Sequence, residues 1–148
     1  MSGRRRVESL VEEELAASGA RADVLDAYRS FLPLNGPAMD VFHDWQMQIL
    51  AGNRVLNDHT DAVYDDEVLA RLSSIDESAQ IVTTRLSTRL SRFSRYGPRL
   101  SSALGKARQG DISYVADDLE SYHTVWFQLH EDLLVTCGIS RDEERRGL

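Results

Sequence analysis

Hydrophobic positions recur along this chain at helical spacing and nowhere alternate over a useful length. Val7, Leu10, Val11 and Leu15 form a first apolar face, closed by Gly19. Val24, Leu25, Tyr28, Phe31 and Leu32 repeat it up to Pro33 and the turn signal Asn35-Gly36-Pro37. A third helix is expected from Pro37, a residue suited to the first helical position. It turns Ala38, Phe42, Trp45 and Ile49 inward and ends at Gly52-Asn53. A polar linker, Asn53 to Asp61, leads to an N-cap at Thr60 or Asp61.

Two longer stripes follow. Val68, Leu72, Ile75, Ala79, Val82, Leu86 and Phe93 step at alternating intervals of four and three, with Arg89 in the expected place before Phe93. Val115, Leu119, Tyr122, Trp126, Leu129 and Leu133 do the same. Such spacing averages about 3.5 residues per turn and suits helices packed nearly parallel or antiparallel. Gly97-Pro98 should break or bend the first of these helices. Asp111 or Ser113 is expected to cap the second, with Gly138 closing it at C′. The expected fold is all-α: a single-domain bundle of four to five helices over residues 1–138, its two longest helices forming a long antiparallel C-terminal hairpin. Residues 139–148 are expected to be a flexible tail.

Charge changes the picture. The chain has 24 acidic and 17 basic residues, yet Ser78 to Gly110 holds no acid at all. That segment carries Arg85, Arg89, Arg92, Arg95, Arg99, Lys106 and Arg108, so a chain of net charge −7 is −14 outside it. Arg85, Arg89 and Arg92 lie roughly 100° from the centre of the apolar arc, as a ridge beside the seam. Neighbouring arginines three or four apart repel by about 0.2–0.5 kcal/mol per pair, so an anionic partner is expected. The chain's own acids are the first candidates: Glu12, Glu13 and Glu14, or Asp117, Asp118 and Glu120. A second copy or another protein is next, and nucleic acid or another polyanion third; Phe93 and Tyr96 offer stacking faces, but the acidic remainder repels a polyanion. Ser91 and Ser94 each follow an arginine by two places, which suits either a phosphorylation site or a solvated helix face.

Candidate chemistry is sparse. Asp40/His43 and Glu120/His123 each place a carboxylate three residues before a histidine, as in four-helix di-iron proteins, with Glu12 and Glu77 as possible lone carboxylates. Helix phase opposes that reading: His43 and Glu120 each lie about 130° off the inward arc. Arg54 and His59 have the arginine-x4-histidine spacing of some helical ribonucleases, but in a solvated linker. His123 and His130, seven apart, could at most form a weak zinc pair. Glycine-rich phosphate loops, the nucleophile elbow and the zinc-protease helix pair are absent, and no cofactor is implied.

A lone Cys137 fits a reducing cytoplasm. Arg4 to Arg6 resemble a signal-peptide start, but Glu8 and Glu12 to Glu14 stand where the apolar region should be. The expectation is a cytoplasmic, non-catalytic interaction or regulatory module, homodimeric through Phe93, Tyr122 and Trp126 as apolar anchors. The alternative is a polyanion-binding module using Arg85, Arg89, Arg92, Arg95 and Arg99 within segment 85–108. A ferritin-like di-metal carboxylate protein ranks third.

Overall fold

The structure is a computed structural model and describes residues 21–147, so the helix expected around Val7 to Leu15 lies outside the described residues. The described chain is mostly helical, with one small sheet. Helix α1 (Arg21–Gln46) leads into strands β1 (Met47–Leu50) and β2 (Asn53–Leu56). Helix α2 (Ala62–Arg89), a 3₁₀ turn at Ser91–Arg95 and helix α3 (Tyr96–Arg108) follow, then a 3₁₀ turn at Ile112–Tyr114, helix α4 (Tyr122–Cys137) and the short α5 (Arg141–Arg145). No helix among the described residues is long and apolar enough to cross a membrane.

The two helices expected on either side of Pro33 and Pro37 are one continuous helix. Both prolines are exposed and lie four apart, on the water-facing side of α1. The backbone carbonyls they free, one turn back, therefore face solvent instead of apolar core. On the opposite side Val24, Phe31, Ala38, Val41 and Trp45 are almost fully buried, which holds both halves of the helix to one core. Asn35 is tied in as well, accepting a hydrogen bond from Trp126 Nε1 at 2.9 Å.

Helix α2 follows its stripe closely: Val68, Leu72, Ile75, Ala79, Val82 and Leu86 are all buried, and Asp61 caps it by accepting from the Tyr64 amide at 3.1 Å. It ends at Leu90, well before Gly97-Pro98. That dipeptide sits in the first turn of α3, where proline lacks no intrahelical donor. Gly97 marks a close approach: a Cβ there would stand 3.0 Å from Thr83 Oγ1 and 3.1 Å from Gln80 Oε1. Its carbonyl accepts from Gln80 Nε2 at 3.0 Å, joining α3 to α2.

Helix α4 starts at Tyr122, capped by Ser121, and not at Val115. Leu119, assigned inward by its spacing, is 85% exposed, because residues 115–121 are non-helical turns. The expected Gly138 terminus stands, with φ 69° and ψ 31°. Consecutive α1 and α2 make the most extensive helix pairing, and α3 separates α2 from α4 along the chain. Where a flexible tail is expected, Ser140 and Glu143 form a capping box at the start of α5.

Candidate functional site

The largest departure from the expected helices is the hairpin after Gln46. Ile49, expected inside a helix, is on β1, and Asn53 to Leu56, expected as linker, is β2. The strands pair antiparallel with Met47 opposite Leu56, Gln48 opposite Val55, Ile49 opposite Arg54 and Leu50 opposite Asn53. Ala51 and Gly52 make the two-residue turn with φ of 51° and 80°, the doubly left-handed conformation whose twist matches a hairpin.

A buried polar hub fixes this hairpin to the helices. The Asn57 amide nitrogen donates to the Trp45 carbonyl at 2.9 Å and to Asp65 Oδ1 at 2.8 Å. Its oxygen accepts from Gln48 Nε2 at 3.2 Å and from the His59 amide at 3.1 Å. His59, itself left-handed at φ 62°, places Nδ1 2.9 Å from Asp65 Oδ2, and its ring lies 4.5 Å from that of Trp45. The Tyr64 hydroxyl lies 2.6 Å from the Asp44 carbonyl and 2.8 Å from that of Met47, anchoring β1 against α2. Burial, with Asp44 nearby, raises the pKa of that hydroxyl and keeps it a donor.

Directly paired residues share a face, so Met47, Ile49, Arg54 and Leu56 lie together. Ile49 is 69% and Leu56 77% exposed, an apolar face turned to water. Beside it a cleft of about 480 Å³ opens between the hairpin, α1 and α2, with Met47, Ile49 and Val68 as apolar lining and Arg54, Glu67 and Arg71 at its polar margin. Burial opposes ionisation of Asp44 there, but Arg71 at 2.8 Å and His43 at 3.4 Å hold its carboxyl below the ordinary range. Arg54 and Glu67 have no ion-pair partner among the described residues. An apolar floor with both signs of charge at its edge suits a polypeptide better than a uniformly charged polymer.

The basic segment is divided over three elements and largely met from within. Arg89 pairs with Asp23 at 2.7 Å. Arg92 lies 3.5 Å from Asp132 and donates to Thr136. Arg99 makes two hydrogen bonds to Glu120, at 3.1 and 2.8 Å, holding that carboxyl below its usual range. Arg85 and Arg95 are exposed and have no ion-pair partner among the described residues. Lys106 stands 4.5 Å from the Tyr114 ring centroid, and Arg108 donates to Ser73. Glu12 to Glu14 lie outside the described residues.

Phe93, Tyr122 and Trp126, expected as anchors for a second copy, are fully buried in the chain's own core. At Tyr122 and Trp126 the seam is met by α1: Trp126 stacks on Phe31 at 4.7 Å and Tyr122 lies 6.3 Å from Phe42. The metal-like pairs do not converge. Asp40 and His43 are exposed, Glu120 pairs with Arg99, and His123 stacks on Phe42 at 4.4 Å. Among the described residues no three His, Cys, Asp or Glu side chains are grouped to hold a metal ion. His130 contacts Glu144 of α5 at 2.8 Å, not His123. Arg54 borders the cleft, whereas His59 is held by Asp65 behind the hairpin.

The sequence places Arg54 and Leu56 in a solvated linker and Ile49 inside a helix, and does not reveal the strand pairing that sets them with Met47 on one face. Each strand has only four residues, too few to show alternation. The one usable signal was Ala51-Gly52-Asn53 between apolar runs. Compared with protein families, characterised proteins and solved structures, the chain matches none.

Proposed function

We propose that the protein is a non-catalytic interaction module of the cytoplasm, which docks another polypeptide on the exposed face of its hairpin and the adjoining cleft. The observation that carries this reading is the pair Ile49 and Leu56, large apolar side chains 69% and 77% exposed on a hairpin that buried hydrogen bonds hold in place. Scattered exposed apolar residues are ordinary on any protein, but two on one rigid sheet face beside a cleft form a patch. The single Cys137, without a disulfide, fits the cytoplasmic placement. A polyanion-binding role would have to rest on Arg85 and Arg95, since Arg89, Arg92 and Arg99 have acidic neighbours in the same chain.

A photo-crosslinking amino acid at Ile49, compared with the same group at Arg85, tests the assignment in cells of the source organism. Protein-sized adducts from position 49 and few from position 85 are expected. Adducts to nucleic acid from position 85, with none from position 49, would transfer the function to the basic segment.

A further inference from the structure

The docking surface just described has a second property, which lies in its backbone. In a hairpin closed by two residues, hydrogen-bonded pairs alternate with pairs whose amides and carbonyls point outward. The Asn57 amide donates to the Gln46 carbonyl at 2.8 Å, which fixes the phase. Residues 48 and 55 and residues 50 and 53 therefore bond within the hairpin, while Met47, Ile49, Arg54 and Leu56 point their backbone groups outward. On β1 the outward Met47 carbonyl is taken by Tyr64. On β2 the outward groups of Arg54 and Leu56 have no partner among the described residues, and both side chains are exposed. An open edge of this kind is a template for another strand.

Resting on the docking reading above, we infer that the occupant of this edge is a second copy of the chain, paired β2 to β2 in antiparallel register about Val55, so that two hairpins form one four-stranded sheet. The register follows from the phase of the outward groups. With Val55 opposite Val55, Arg54 of each copy faces Leu56 of the other, and the two outward residues of each strand meet the two of its partner. All four outward amides and carbonyls are then paired without shifting either hairpin. Any register displaced by one residue sets outward groups against inward ones.

Side chains agree with that register. Leu56 of one copy lies under the aliphatic stem of Arg54 of the other, removing from water the most exposed apolar residue of the hairpin. The guanidinium then reaches diagonally toward Asp58 of the second copy. Asp58 is fully exposed, and its hydrogen bonds with Thr60 keep its carboxyl ionised, below the ordinary range. Arg54 has no ion-pair partner among the described residues. The pairing thus supplies opposite charges on both sides of the axis in a protein whose net charge of −7 otherwise disfavours self-association.

Two measurements test the inference. Light scattering of the full chain at tens of micromolar should give twice the chain mass of 16.7 kDa. In a Cys137→Ser background, Val55→Cys should form an intermolecular disulfide under mild oxidation, because opposed residues of a non-hydrogen-bonded pair lie about 4.5 Å apart at Cα, within disulfide reach. Asn53→Cys, four positions from its counterpart in this register, should give at least several-fold less. Arg54→Asp should lower the dimer fraction, and adding Asp58→Arg should restore it. A monomer at every concentration, or Asn53→Cys crosslinking as well as Val55→Cys, overturns the pairing. If position 49 captures a different protein while Val55→Cys stays monomeric, the second copy is wrong and the docking reading stands; if neither crosslinks, both fail.

Discussion

Tyr122 donates its phenolic hydroxyl to Asp76 at 2.6 Å inside the core, tying α4 to α2 across 46 positions of chain. Asp76 is buried and has Gln80 Nε2 as a second donor at 3.2 Å, so among the described residues its side chain is met by neutral donors. Burial and the adjacent Asp76 push the Tyr122 hydroxyl far above its ordinary range, which keeps it a donor at every working pH. Tyr122→Phe should destabilise the fold by about 1–3 kcal/mol, the cost of an acceptor left short inside the core. Adding Asp76→Leu should recover part of that loss, since the orphaned carboxylate goes too. Equilibrium denaturation of the two variants checks this; equal losses would mean the pair is not coupled.

His123 predicts an acid-side loss of stability. Its ring stacks on Phe42, and burial lowers its pKa below the ordinary 6.5. The unfolded chain therefore takes up a proton that the folded chain resists. The stability is fully present above about pH 6.5 and is lost as pH falls toward the lower folded value. His123→Phe should flatten the denaturation midpoint across this window, while the parent's midpoint falls on acidification.

The contact between Arg89 and Asp23 at 2.7 Å gives the basic segment a direct test. Both side chains are about half exposed, so the pair contributes about 0–1 kcal/mol. Arg89→Glu should cost that much or slightly more, and Asp23→Arg in the same chain should restore it. Added salt should narrow the gap between parent and variant. Salt-sensitive binding of the parent to DNA or RNA, abolished by Arg89→Glu at unchanged stability, would contradict internal pairing.

At the hairpin tip Ala51 occupies a left-handed position at φ 51° that disfavours a side chain without a local hydrogen bond. Asn-Gly is the preferred pair for this turn. Ala51→Asn should therefore raise stability by about 0.5–1 kcal/mol, read as an upward shift of the melting temperature. It touches neither the outward edge of β2 nor the cleft, so the assembly state should not change.

What the sequence determined by itself was whatever depends on neighbours in the chain. The stripe from Val68 to Leu86, the Asp61 cap, the Gly138 terminus and the inward positions Val24, Tyr28, Phe31, Ala38, Phe42 and Trp45 stand in the structure as read, Ile49 excepted. Each is set by periodicity or by a cap within one turn of backbone. The same local signals failed where a distant surface intervened. Pro33 and Pro37 do not end α1, because apolar residues on its far side bury both halves against α2 and α4. Leu119 lies in a turn and points outward despite its spacing. Phe93, Tyr122 and Trp126 look like anchors for another molecule until the chain's own core is seen to bury them, α1 lying against the last two. The hairpin is the least legible element: four residues a strand carry almost no pattern, and its position depends on Tyr64 and Asp65 of α2, which hold Met47 and the adjoining Asn57. Which apolar residues are buried by the chain and which face water is a property of packing, and the exposed face at Ile49 and Leu56 exists only once the helices have assembled behind it.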